Sequence, residues 1–131
     1  MSGRPSHERG RAAEQAAREA LVSAGFTVIE SNFRVRGAEL DVVCRDDAGL
    51  AFCEVRALQV GLHEPSATIT RPKFHALLRG ARAWLARHDR ASVDWRLVVV
   101  SVSLDDTGRP VGTEIIEDPF AHLQEFHDGD S

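Results

Sequence analysis

A mixed β-sheet with helices on its faces, the α/β class, is the architecture that this sequence predicts. Two observations lead there. Two helix-periodic apolar stripes bracket a group of three short β-branched runs, giving the order α-β-β-β-α-β. The run that follows the second stripe is apolar on both faces, as expected of a strand inside a helix-covered sheet. With 131 residues, 27% charged and 43% hydrophobic, the chain is expected to form one domain over 1–131, with a core over about 8–104 and an edge strand and acidic tail over 105–131.

The elements follow in order. Residues 8–24 place Ala13, Ala17, Ala20, Leu21 and Ala24 at helical spacing, and Gly25 is a C-terminal stop. Residues 26–30 (Phe-Thr-Val-Ile-Glu) read as a strand, and 34–37 lead into a second over 39–44. Asp46, Asp47, Ala48 and Gly49 are turn chemistry, so residues 50–56 close a hairpin with the second strand. Residues 57–69, with Gly61 and Pro65, read as a loop long enough to be functional. Thr70 is an expected N-cap, Pro72 suits a first turn, and Phe74, Leu77, Leu78, Ala81 and Leu85 form the stripe of a second helix ending near His88. Residues 95–104 read as a strand near the sheet centre and 113–117 as a candidate edge strand, while the acidic stretch 122–131 is expected to fray.

Composition excludes several classes. No run approaches the roughly 18 apolar residues that span a bilayer, and the opening residues lack the apolar core of a secretion signal, so a cytoplasmic protein without membrane contact is expected. Cys44 and Cys53 are too few for a disulfide framework and read as small buried hydrophobes. His7, His63, His75, His88, His122 and His127 show no close metal-ligand spacing, and Trp84 and Trp95 read as packing residues. The net charge of -4 is uneven: residues 1–104 sum to +3 and residues 105–131 to -7. A weakly basic body with one concentrated acidic patch could suit a polyanion that meets a divalent metal, although such charge blocks are more often just solvated surface.

The least ordinary feature is a set of acids inside apolar strands. Alternation puts Glu39, Asp41 and Val43 on one face, and Glu54 with Arg56 on one face of the next strand. A hairpin turning at Ala48 and Gly49 would oppose Cys44 to Cys53, Val43 to Glu54 and Asp41 to Arg56. Asp41 and Glu54 would then be diagonal neighbours on a single face, about 7–8 Å apart at the backbone and within shared reach of one cation. Glu14 lies on the first helix's inner stripe and leans toward the same sheet. Inward carboxylates are costly unless protonated, paired or metal-bound, and oxygen ligands suit Mg²⁺. The plainer alternatives are an Asp41–Arg56 salt bridge, a solvated Glu54 and a surface-paired Glu14.

Several segments carry a family resemblance: Gly10-Arg11-Ala12-Ala13-Glu14-Gln15-Ala16-Ala17, Gly25-Phe26, Asn32-Phe33-Arg34, Gly37-Ala38-Glu39-Leu40-Asp41, Phe52-Cys53-Glu54-Val55-Arg56, and Lys73. In that order and spacing, over residues 10–104, the chain resembles the YraN-like bacterial family. That family has a restriction-endonuclease-like fold related to Holliday junction resolvases. The resemblance implies an αβββαβ PD-(D/E)xK core in which Asp41 and Glu54 hold Mg²⁺ or Mn²⁺, the Val55 carbonyl completes the ligand set and Glu14 is auxiliary. Position 56 departs from the pattern: the family's lysine is Arg56, which keeps the charge but cannot act as a base. Lys73, the only lysine beside 15 arginines, is a candidate to stand in for it.

Three classes of function follow. One is a metal-dependent nuclease acting on DNA, with Asp41, Glu54, Arg56 and Glu14 in the catalytic site. The second is a catalytically inactive nucleic-acid-binding protein that uses Arg71, Lys73, Arg79 and Arg82 against phosphates. The third is a protein-interaction module. Resolvase-like proteins act on two strands, so a homodimer is expected by analogy.

Overall fold

In a computed structural model, which describes residues 6–60, 69–89, 93–117 and 119, the chain forms a five-stranded sheet with one helix on each face. The elements are α1 (Ser6–Ser23), β1 (Thr27–Val35), β2 (Ala38–Asp46), β3 (Gly49–Gln59), α2 (Arg71–Arg87), β4 (Trp95–Leu104) and β5 (Pro110–Ile116). Strand order equals chain order. All neighbours are antiparallel except β3 and β4, whose parallel pairing needs the long crossover that α2 provides. The predicted α/β class and element order stand. The expected loop start at 57 is corrected, because β3 runs on to Gln59 alongside β4. The rest of that loop (61–68), the acidic stretch 122–131, His63, His122, His127 and the side chain of His7 lie outside the described residues.

Each helix buries one stripe. Ala13, Ala17 and Leu21 of α1 pack on Val42, Cys44, Cys53, Val98, Val100 and Val102, the small alanines letting the helix lie close to the sheet. Ala24, expected in that stripe, is exposed, because the helix has already ended at Ser23. Gly25 there takes a φ of 102° and the Phe26 N–H donates back to Leu21 O. On the other face, Leu77, Gly80, Ala81, Trp84 and Leu85 of α2 cover Leu40, Val43, Phe52 and Val99. Thr70 caps α2 by accepting from Lys73 N–H at 3.3 Å. A side chain at Gly80 would approach Leu40 Cδ2 to 3.0 Å, so this mid-helix glycine sets how near α2 comes to β2. Trp84 and Trp95 both pack edge-on against Phe52, as their expected core role requires.

The hairpin register differs from the expected one by two residues. Asp46 pairs with Gly49, so the turn is Asp47-Ala48, and Cys44 faces Ala51 instead of Cys53. Gly49 is needed inside the strand, not the turn: its φ is 130°, and a Cβ there would fall 2.4 Å from Asp94 O, the carbonyl that receives Leu50 N–H. A two-residue slip leaves every side chain on its face. Cys44 and Cys53 therefore remain neighbours, as a diagonal buried pair of free thiols 3.6 Å apart. The hydrogen bond to Cys44 sulfur, and then burial, push the Cys53 thiol well up from its usual range.

A second correction concerns the faces of β2. Leu40 and Val43 both lie under α2, whereas Val42 and Cys44 lie under α1, so alternation breaks beside Asp41. Across from it on β1, between the Ser31–Val42 and Phe33–Leu40 pairs, Asn32 takes a φ of 58°. Simple alternation, which put Val43 on Asp41's face, therefore fails between Leu40 and Val42.

Candidate functional site

The β2–β3 ladder runs from Asp46–Gly49 to Val42–Cys53. Beyond that pair β2 continues with β1 down to Ala38, while β3 continues with β4 to Gln59. The sheet thus forks, and Asp41 and Glu54 are the first residues past the fork, one on each arm. One more step of the observed register would set them opposite each other, in place of the diagonal or Arg56-facing arrangement that the expected register implied.

A cleft of about 250 Å³ opens at the fork. Glu14 from the middle of α1, Glu39 and Asp41 from β2, Glu54 and Val55 from β3 and Lys73 from the first turn of α2 line it. Four carboxylates and one ammonium share this space. The Asp41 Oδ2 accepts the Val55 N–H at 2.7 Å, replacing the strand carbonyl that the fork has taken away. Glu54 is 9% exposed, and its Oε2 meets Lys73 Nζ at 3.2 Å. Burial, opposed by the Val55 hydrogen bond but reinforced by the charges of Glu54, Glu14 and Glu39, raises Asp41 from its ordinary 3.8 to about 7. The site therefore carries more negative charge than its own cation offsets.

Of the residues expected in a site, Glu14, Asp41, Glu54, Val55 and Lys73 come together. Arg56 follows Glu54 by two residues on β3, so alternation keeps it on Glu54's face, and it is partly buried. Arg71, Arg79 and Arg82 lie on exposed surface of α2 and do not line the cleft. Arg79 donates to Gly37 O at 3.0 Å and so ties α2 to the β1–β2 turn. Glu39 was left out of the expected site although it shares a face with Asp41. That shared face was the available signal, and Glu39 also pairs with Arg34 on β1 at 3.2 Å.

Carboxylate oxygens are the donors that Mg²⁺ and Mn²⁺ prefer, and Asp41, Glu54, Glu14 and the neighbouring Glu39 supply them. In donor chemistry the residues present fit such an ion. Among the described residues, however, no three His, Cys, Asp or Glu side chains are already arranged to hold one. The ammonium of Lys73 rests on the Glu54 oxygen instead. No helix among the described residues is long and apolar enough to cross a membrane.

An αβββαβ core with a forked mixed sheet is the architecture of the restriction-endonuclease-like class. Within that class, the model of "Uncharacterised protein family UPF0102" matches residues 13–102, and the chain belongs to this family. It is 37% identical over 114 residues to a UPF0102 protein of Trichlorobacter lovleyi, covering 84% of this chain and 88% of the relative. It is 42% identical over 97 residues to the UPF0102 protein YraN of Salmonella arizonae, covering 72% and 74% respectively. The YraN-like resemblance thus holds at the level of the family.

Proposed function

We propose that this protein is a divalent-metal-dependent nuclease acting on DNA. One observation carries the reading: four carboxylates line the cleft at the sheet fork with a single ammonium, which sits on Glu54, and Asp41 is raised to about 7 by burial and by the neighbouring carboxylates. Asp41 and Glu54, one from each arm of the fork, would hold Mg²⁺ or Mn²⁺, with the Val55 carbonyl and Glu14 as further oxygen donors. A bound ion would supply Lewis acidity toward a phosphate oxygen. The chain's own residues do the rest. The Val55 N–H fixes the orientation of the Asp41 carboxylate. Lys73, which pairs with Glu54, and Arg56, two residues further along β3, would offset charge that develops on the phosphate in in-line attack. Arg71, Arg79 and Arg82, exposed on α2, offer contacts for the flanking backbone. A homodimer would present two clefts to two strands.

A second reading rests on position 56. Arginine there stays protonated, so the same fold could bind nucleic acid without turnover. The deciding experiment incubates the protein with labelled single-stranded, duplex and four-way-junction DNA in Mn²⁺, beside Glu54→Ala and Arg56→Lys. Cleavage by the wild type that disappears in Glu54→Ala is the expected result. Cleavage by Arg56→Lys alone would favour the binding reading. Silence in all three, with salt-insensitive or absent DNA affinity, would overturn both.

A further inference from the structure

Lys73 occupies the cleft as a counter-ion. It is the sole cation among the described residues that line the cleft, and Glu54, its partner, has a side chain only 12% exposed. Its own side chain is 46% exposed and rides on a flexible four-carbon stem. The backbone beneath is fixed, since the Lys73 N–H is committed to the Thr70 cap. The ammonium can therefore swing while the helix start stays in place. Its present position also competes for the site: the ammonium lies 3.2 Å from Glu54 Oε2, and it would repel a second cation drawn to that oxygen.

We propose that Lys73 is a displaceable counter-ion of the cleft, holding Glu54 while no metal is present and releasing that oxygen when a divalent cation enters. This rests on reading the cleft as a divalent-metal site. Release turns a charge that closes the site into one free to face a phosphate. The local balance of charge explains why such a placeholder is needed. With Glu14, Glu39 and Asp41 lining the same cleft, a buried Glu54 carboxylate gains from a cation held at its oxygen.

Two measurements test this on the full chain, with folding checked by circular dichroism. The first is Mn²⁺ affinity by titration calorimetry for the wild type, Lys73→Gln, Lys73→Arg and Glu54→Gln. A half-exposed pair of this kind competes weakly, so Lys73→Gln is expected to bind Mn²⁺ about three- to tenfold more tightly. Lys73→Arg, which keeps the pair, should show no gain, and Glu54→Gln should lose binding. The second uses the fact that Lys73 is the only lysine, so ¹⁵N-lysine labelling yields a single side-chain ammonium resonance. That resonance should shift on Mg²⁺ addition with the midpoint of the binding isotherm. If Lys73→Gln binds no more tightly than the wild type and the resonance stays fixed while Glu54→Gln abolishes binding, the counter-ion role is overturned and the metal site stands. If neither the wild type nor Lys73→Gln binds Mn²⁺, the metal reading itself falls and takes this proposal with it.

Discussion

Replacing Asp41 with asparagine should stabilise the metal-free protein, and the gain should grow with pH. In the folded chain Asp41 titrates at about 7, against 3.8 for an ordinary aspartate. Between those values the folded state holds a proton that the unfolded chain has released, so wild-type stability falls as pH rises through that window. At about 1.4 kcal/mol per pH unit, the full gap corresponds to at most about 4 kcal/mol above pH 8, and to about 2 kcal/mol at pH 5. Below pH 3.8 the two proteins converge. Asn cannot ionise, yet its side-chain oxygen can still accept the Val55 N–H that Asp41 now binds at 2.7 Å. The variant thus keeps the hydrogen bond and drops the buried charge. The assay is urea unfolding in EDTA at pH 4, 6 and 8, followed by tryptophan fluorescence. Subtracting wild type from variant cancels the titrating groups that do not interact with Asp41, leaving its own titration and the response of Glu54, Glu14 and Glu39, whose charges act on it. A difference that stays flat with pH, or an Asp41→Asn protein less stable than the wild type at pH 8, would refute the claim that Asp41 is a buried, under-neutralised carboxylate.

Two further outcomes follow from the packing. Gly49→Ala places a methyl 2.4 Å from the Asp94 carbonyl at a φ of 130°, so it should cost about 2–4 kcal/mol in urea unfolding without changing the far-ultraviolet spectrum of the folded protein. Cys44 and Cys53 are fully buried, and the Cys53 thiol is pushed up. Thiol reagents at pH 8 should therefore label them only at the rate of global unfolding; labelling within the mixing time would contradict the packing under α1.

The elements were legible because their signals are local. The stripe of Leu77, Ala81 and Leu85, the Thr70 cap and the apolar run of β4 each declare themselves within one segment. Register was not legible. Gly49 reads as a turn residue, but what requires glycine there is the Asp94 carbonyl arriving from the approach to β4, a partner 45 positions further along. Lys73 was singled out through the family resemblance and its being the only lysine, whereas nothing local in the sequence says that its ammonium comes to 3.2 Å from a Glu54 oxygen. The break in alternation beside Asp41 was hidden too, since a period of two assumes that a strand keeps one pair of faces.

That break is also what makes the site physically possible. Had the β2–β3 ladder continued one step, Asp41 and Glu54 would have faced each other at directly opposed positions, about 4.5–5.5 Å apart at the Cβ atoms, where like charges destabilise a sheet. The fork removes that pairing. It gives β2 to β1 and β3 to β4, turns Leu40 under α2 and Val42 under α1, and leaves the Val55 N–H without a strand acceptor. Asp41 fills that vacancy, so its position is dictated by backbone hydrogen bonding even though its charge is unwelcome there. A carboxylate held in place by structure but under-neutralised by its surroundings favours an added cation. Lys73 meets part of that demand through Glu54, and the remainder is the electrostatic basis on which a divalent ion would bind.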